Sequence, residues 1–209
     1  DFMPSRIVTY KKFTNSGVSA LPGKKQDARV RYTKMVIKSS LMELMQLKPV
    51  AKITVTEICE RAGINRATFY AHYNDPTDLL QSIERELIED ISAKTRPAIA
   101  ALGGDLAESI TGLVEYIREN AEVCRVLLSG SGDASFQNNV VDMVEKQFID
   151  HWRAFSSTSV EDAQYSYTFI AIGSVGVIRK WLDEGVTKPS SEIASLIIKL
   201  SSAGFMSLS

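Results

Sequence analysis

The stretch TVTEICERAGINRATFYAHY, residues 54–73, leaves this chain little local freedom. Thr54 followed three positions later by Glu57 has the form of a capping box, which opens a helix. Val55, Ile58 and Ala62 share one side of that helix, and Gly63 is placed to close it in the left-handed conformation. Asn65 can then cap a second helix, with Phe69 and Tyr73 four apart on its inner face. A second helix of about eight residues is marginal alone, because nucleation is costly and each turn adds little. The pattern therefore demands helix, tight turn and helix, held against something larger.

The rest of the chain also carries helical periodicity. Val36, Leu41, Leu44 and Met45 define a helix from about Arg31 to near Leu47, before Lys48-Pro49. Met35, Met42 and Met45 are read as core filler. Asp75-Pro76 supplies a capping aspartate and a proline at the first helical position. That helix runs through Leu79, Leu80, Ile83, Leu87 and Ile91. Further helices are expected over 105–119, 121–129, 135–155, 161–184 and 190–206. No alternating strand pattern is present, so the expected fold is all-α. Residues 1–28 read as a mobile basic arm, 29–75 as a three-helix head, and 76–209 as a helical body.

Charge divides the chain in the same way. Residues 1–75 hold 13 Lys/Arg against 6 Asp/Glu, and residues 76–209 hold 11 against 19. A balance of +7 in the first part and -8 in the second suggests that one end meets a polyanion. A basic tail with no partner is the alternative. Cys59 and Cys124 stand alone, without CxxC or paired-histidine spacing, so neither a disulfide framework nor a metal site is expected. The two lone cysteines fit a reducing cytoplasm; no apolar run is long enough to span a membrane, and the first residues lack the apolar core of a signal peptide. GSGD (130–133) and GSVG (173–176) are too short for phosphate loops and follow no strand, so no enzyme and no cofactor is expected.

With Phe69 and Tyr73 anchoring the second short helix, Arg66, Thr68, Tyr70 and His72 are free to face outward. Arginine grips guanine O6 and N7 bidentately, and a threonine reaches a phosphate or a base edge. Tyrosine and histidine at the groove wall bond phosphates, which positions the helix without reading sequence. A plain helical hairpin inside a bundle is the structural alternative; the basic balance of this third favours DNA.

ITVTEICERAGINRATFYAHYNDPTDLL (53–80) resembles the DNA-binding signature of the tetracycline-repressor (TetR) family, over roughly residues 31–92. The resemblance implies a homodimeric transcriptional regulator with a three-helix head on a body that binds a small effector. Carried over by motif, Thr54 and Thr56 lie near phosphates. Arg66, Ala67 and Thr68 lie closest to bases, and Tyr70 and His72 meet the backbone. The family usually has a lysine where this chain has Pro76, so phosphate binding there falls to Asn74 or to the amides of Thr77 and Asp78. GVIRKWLDEGVTKPSSEIASLI (176–197) resembles the closing segment of a TetR subgroup that includes activators. Repressor is the favoured sign, with activator, or an adaptor without DNA, as alternatives.

Two further expectations concern the body. YSYTFIAIGSVGVI (165–178) has no clear polar face, and Ile193, Leu196, Ile197 and Leu200 repeat at helical spacing. These helices form either the chain's own core or, as favoured, half of a homodimer interface through 161–184 and 190–206. Gly173 and Gly176 suggest a close helix approach. A small-molecule pocket is expected among Tyr116, Cys124, Phe148, His151, Trp152 and Phe169; ordinary aromatic packing beside a surface histidine is the alternative.

Overall fold

The computed structural model describes residues 24–100, 106–129, 134–155 and 160–206. Its elements are α1 (Lys24–Met45), a single 3-10 turn (Val50–Lys52), α2 (Val55–Ala62), α3 (Arg66–Tyr70), α4 (Pro76–Ala100), α5 (Leu106–Glu119), α6 (Ala121–Leu128), α7 (Ala134–Phe155), α8 (Val160–Asp183) and α9 (Ser190–Met206). Among the described residues there is no strand. The fold is all-α, with a helix-turn-helix head followed by a helical body. Most of the expected arm lies outside the described residues.

Two expected bounds shift. α1 begins at Lys24 and not near Arg31, because Arg29, Val30 and Arg31 are exposed and an exposed helix needs no apolar period to announce it. α3 holds five residues and not about eight, since the chain turns at Ala71 towards the next helix start. Contacts divide the chain into two compact units, one ending at Ile83 and one beginning at Glu84.

In the first unit α2 packs on α1 and on α3. Its buried side chains include Ile37, Leu41, Leu44 and Met45 of α1, Ile58 of α2, and Phe69 and Tyr73. Each such aliphatic side chain contributes about 1.5–3 kcal/mol relative to exposure. Leu79, Leu80 and Ile83 complete this core.

In the second unit α9 packs on α5, and α8 on α6, α7 and α9. Trp181 is fully buried, and its Nε1 donates to the Lys188 carbonyl at 3.0 Å, which fixes the α8–α9 turn. α8 ends in a Schellman motif: Val186 N donates to Trp181 O at 3.0 Å and Gly185 N to Leu182 O at 3.1 Å, with Gly185 at φ 79. Arg125 of α6 donates Nε and Nη2 to the Leu182 carbonyl at 3.0 and 2.8 Å. That sets a cation at the negative end of α8.

Candidate DNA-binding surface and body cavity

The head is built by local hydrogen bonds that the sequence announces. Thr54 forms the capping box: Glu57 N donates to its Oγ1 at 3.3 Å, and Thr54 N donates to Glu57 Oε2 at 2.9 Å. The Thr54 hydroxyl donates to the same carboxylate oxygen at 2.9 Å, so its proton is already committed. Thr56, two positions on, is exposed. Lys48 Nζ reaches Glu57 Oε1 at 2.6 Å. With the Thr54 bonds, that holds the Glu57 carboxyl down at about 2. Gly63 takes φ 66, and Ile64 N reaches back to Cys59 O at 3.1 Å, so α2 also ends in a Schellman motif.

Asn65 Oδ1 accepts from Thr68 N at 2.8 Å and from the Thr68 hydroxyl at 3.0 Å, which caps α3. Phe69 is fully buried, edge-on to Tyr70 with centroids 5.7 Å apart and tilted on Tyr73 at 6.0 Å. This ring, and not helix propensity, anchors α3. Arg66, Ala67 and Tyr70 face solvent, Tyr70 with 51% of its surface exposed. Arg66 Nη2 lies 3.5 Å from Tyr70 Oη, one turn along. His72 is half-buried, its ring 6.3 Å from that of Tyr73. The structure thus joins Arg66 to Tyr70 and keeps Thr68 and His72 close to the packed side.

The start of α4 corrects an expectation. Asp75 Oδ1 accepts from Thr77 N and Asp78 N, each at 2.8 Å. Asn74 N and Nδ2 both donate to Asp78 Oδ2, at 2.8 and 3.0 Å. The two amides expected to meet a phosphate are already satisfied by the Asp75 carboxylate, and the Asn74 donors by that of Asp78. The reason is local: an aspartate at the cap reaches amides two and three residues on with little loss of entropy. The pair DPTD at 75–78 carried that signal, although the sequence reading used only its first half.

The body holds a cavity of about 220 Å³ between its helices. Among the described residues its walls are mostly aliphatic, from Leu87, Leu113, Val141 and Ile170 among others, with Phe136 and Tyr167 the aromatic members. Cys124 lines it as expected, and burial pushes its thiol up to about 12. Two other expected lining residues are placed elsewhere. Phe169 is 75% exposed on the outer side of α8. The Tyr116 hydroxyl donates to Asp90 Oδ2 at 2.6 Å, beneath Lys94 Nζ at 5.0 Å from its ring. Burial first, then that hydrogen bond, raises its phenol above the usual range. Phe148, His151 and Trp152 lie on α7 with side chains outside the described ones. Thr95, Tyr167, Ser174 and Ser201 line the cavity and were missed; polar residues in otherwise apolar helices were the available hint.

Gly173 and Gly176 are exposed, and a Cβ at either would meet nothing within 4 Å. The close approach expected of them is therefore not made among the described residues.

A short capped helix held out by one buried ring, on a helical body, defines a helix-turn-helix transcription regulator. The profile of bacterial regulatory proteins of the tetR family matches residues 39–83, and that of a transcriptional regulator C-terminal region matches residues 104–203. The chain belongs to the TetR family. It is 23% identical over 147 residues to an uncharacterized HTH-type transcriptional regulator of Haemophilus influenzae, covering 68% of this chain and 72% of that one. It is 24% identical over 198 residues to the uncharacterized regulator YxbF of Bacillus subtilis, covering 90% of this chain; the match spans only 50% of YxbF. A solved complex of SmeT with triclosan superposes with a TM-score of 0.61 at 13% identity, over 82% of this chain and 90% of that one.

Proposed function

We propose that the protein is a cytoplasmic repressor that dimerises, holds a near-palindromic operator and releases it when a small molecule enters the body. The observation that carries this reading is the outward pair Arg66 and Tyr70 on a helix fixed from behind by Phe69. Arg66, Ala67 and Thr68 read bases, with Thr54, Thr56, Tyr70 and His72 along the backbone. Dimerisation through 161–184 and 190–206 is supported by the apolar side chains left in water there: Tyr165, Phe169 and Ile172 on α8, Leu196 and Leu200 on α9. The exposed Gly173 and Gly176 leave room beside them for a second backbone. Two heads then meet successive major grooves about 34 Å apart. A ligand that prefers one head spacing shifts the population away from DNA by its differential affinity. The bound triclosan of SmeT is in keeping with effector control.

Selection from random-sequence duplex DNA tests this, with Arg66→Ala and Tyr70→Ala alongside. The expected result is a palindromic consensus, loss of base preference worth about 1–3 kcal/mol with Arg66→Ala, and uniform weakening with Tyr70→Ala. Binding without a consensus, fading steadily as salt rises, would reduce the contact to electrostatics. A reporter placed behind the selected operator decides repression against activation.

A further inference from the structure

We propose that the body cavity takes one small uncharged ligand, apolar over most of its length and carrying a single hydroxyl-type oxygen that bonds to serine hydroxyls of α8 and α9. The proposal rests on the reading of the body as an effector domain and specifies the effector's chemistry.

Three observations carry it. The first is the void itself: close-packed interiors seldom leave room for more than a water, yet about 220 Å³ stands open among α4–α9. A 150 Å³ cavity of similar lining accepts benzene, so this one suits roughly nine non-hydrogen atoms.

The second is charge. Among the described residues that line the cavity there is no lysine, arginine, histidine, aspartate or glutamate. The Cys124 thiol, pushed up by burial, stays neutral at physiological pH. A carboxylate or ammonium entering here would lose its hydration and gain no counter-charge.

The third is the state of the polar groups. The Tyr167 hydroxyl donates to Val141 O at 2.8 Å, and the Thr95 hydroxyl to Ile91 O at 3.1 Å, so neither proton is offered to a ligand. Ser174 and Ser201 also line the cavity, and neither hydroxyl has a hydrogen-bond partner among the described residues. α8 and α9 form a hairpin, in which Ser174 stands nine positions before the end of α8 (183 less 174) and Ser201 eleven positions into α9 (201 less 190). Antiparallel packing therefore puts the two at similar depth. A hydroxyl both donates and accepts, so it can pair with both serines, each of which also donates and accepts.

Calorimetric titration of the purified protein with 1-octanol, octanoate and octylammonium at pH 7 tests the class. The expected result is one 1-octanol per chain, with octanoate and octylammonium each at least about 100-fold weaker. Equal or tighter binding of either ion would overturn the proposal. Ala171→Phe, which fills the cavity from α8, should abolish 1-octanol binding; full binding that survives it would place the ligand elsewhere and sink the idea. Should that variant fail to fold by circular dichroism, the double change Ser174→Ala and Ser201→Ala decides. It should weaken 1-octanol about tenfold and leave toluene unchanged; no difference between the two ligands would remove the role of the hydroxyls. Operator retention is measured separately. Retention without 1-octanol binding rejects this ligand class and leaves the regulator, whereas 1-octanol binding by a protein that selects no operator leaves the cavity chemistry and rejects the regulator.

Discussion

Asp75 supports two opposed effects at the start of α4, and two substitutions separate them. Its Oδ1 accepts the Thr77 and Asp78 amides at 2.8 Å each. Asp75→Ala removes that cap, at a cost of about 1 kcal/mol, together with a negative charge at the helix N-terminus worth about 0.3–1 kcal/mol. The expected loss is therefore about 1–2 kcal/mol of head stability, read from urea unfolding. Asp75→Asn keeps an acceptor oxygen in place and loses only the charge, so its cost stays at about 0.3–1 kcal/mol. DNA affinity should follow charge and ignore the cap. A carboxylate about 7 Å from a phosphate in water is repelled by about 0.6 kcal/mol, so either variant should bind about threefold tighter per head at low salt. The gain should vanish near 1 M salt, where the screening length is about 3 Å. Fluorescence anisotropy on the selected operator across a salt series measures it. Unchanged affinity for Asp75→Asn at low salt would place α4's start away from the DNA backbone, and a gain that survives 1 M salt would refute the electrostatic cause.

Phe69→Ala empties the space behind α3 and should cost about 3–5 kcal/mol, abolishing operator binding while the body's own unfolding transition stays put; retained DNA affinity would show that α3 is held some other way. The depressed Glu57 carboxyl makes the head acid-sensitive: its contribution is complete above the ordinary value of 4.5 and is lost as pH falls through about 2. Urea midpoints for the native chain and Glu57→Gln should keep a constant gap above pH 4.5 and converge below it. Trp181→Phe removes the donor to Lys188 O and should cost the body about 1 kcal/mol, roughly 2–4 °C in Tm, with the head unaffected.

The head was largely legible before its structure because its signals are short-range. A threonine three residues before a glutamate, a glycine after the last apolar position and an asparagine before an arginine each act on backbone groups within four residues. Those are the bonds found at Thr54, Gly63 and Asn65. The amides of Thr77 and Asp78 belonged to the same class of signal, and reading Asp75 as a cap without following its acceptor led to the wrong availability. The body was less legible. Helices α5 to α9 were delimited to within a residue or two, whereas α4 was followed only as far as Ile91 and runs to Ala100. Of the residues expected to line a pocket, Cys124 does so, while Tyr116 is bonded to Asp90 and Phe169 is turned outward.

By itself the chain determined the caps and the tight turn of the head, and that one of its helices must be carried by a buried ring, because those outcomes depend on neighbours a few residues away. Tertiary packing decided which side of each body helix looks inward. Successive residues on a helix point about 100° apart, so a small rotation exchanges one for the next. Along α8, Ile170 lines the cavity while Phe169 stands in solvent. Periodicity cannot separate them when both sides of the helix are apolar, since only contacts with α6, α7 and α9 set the rotation.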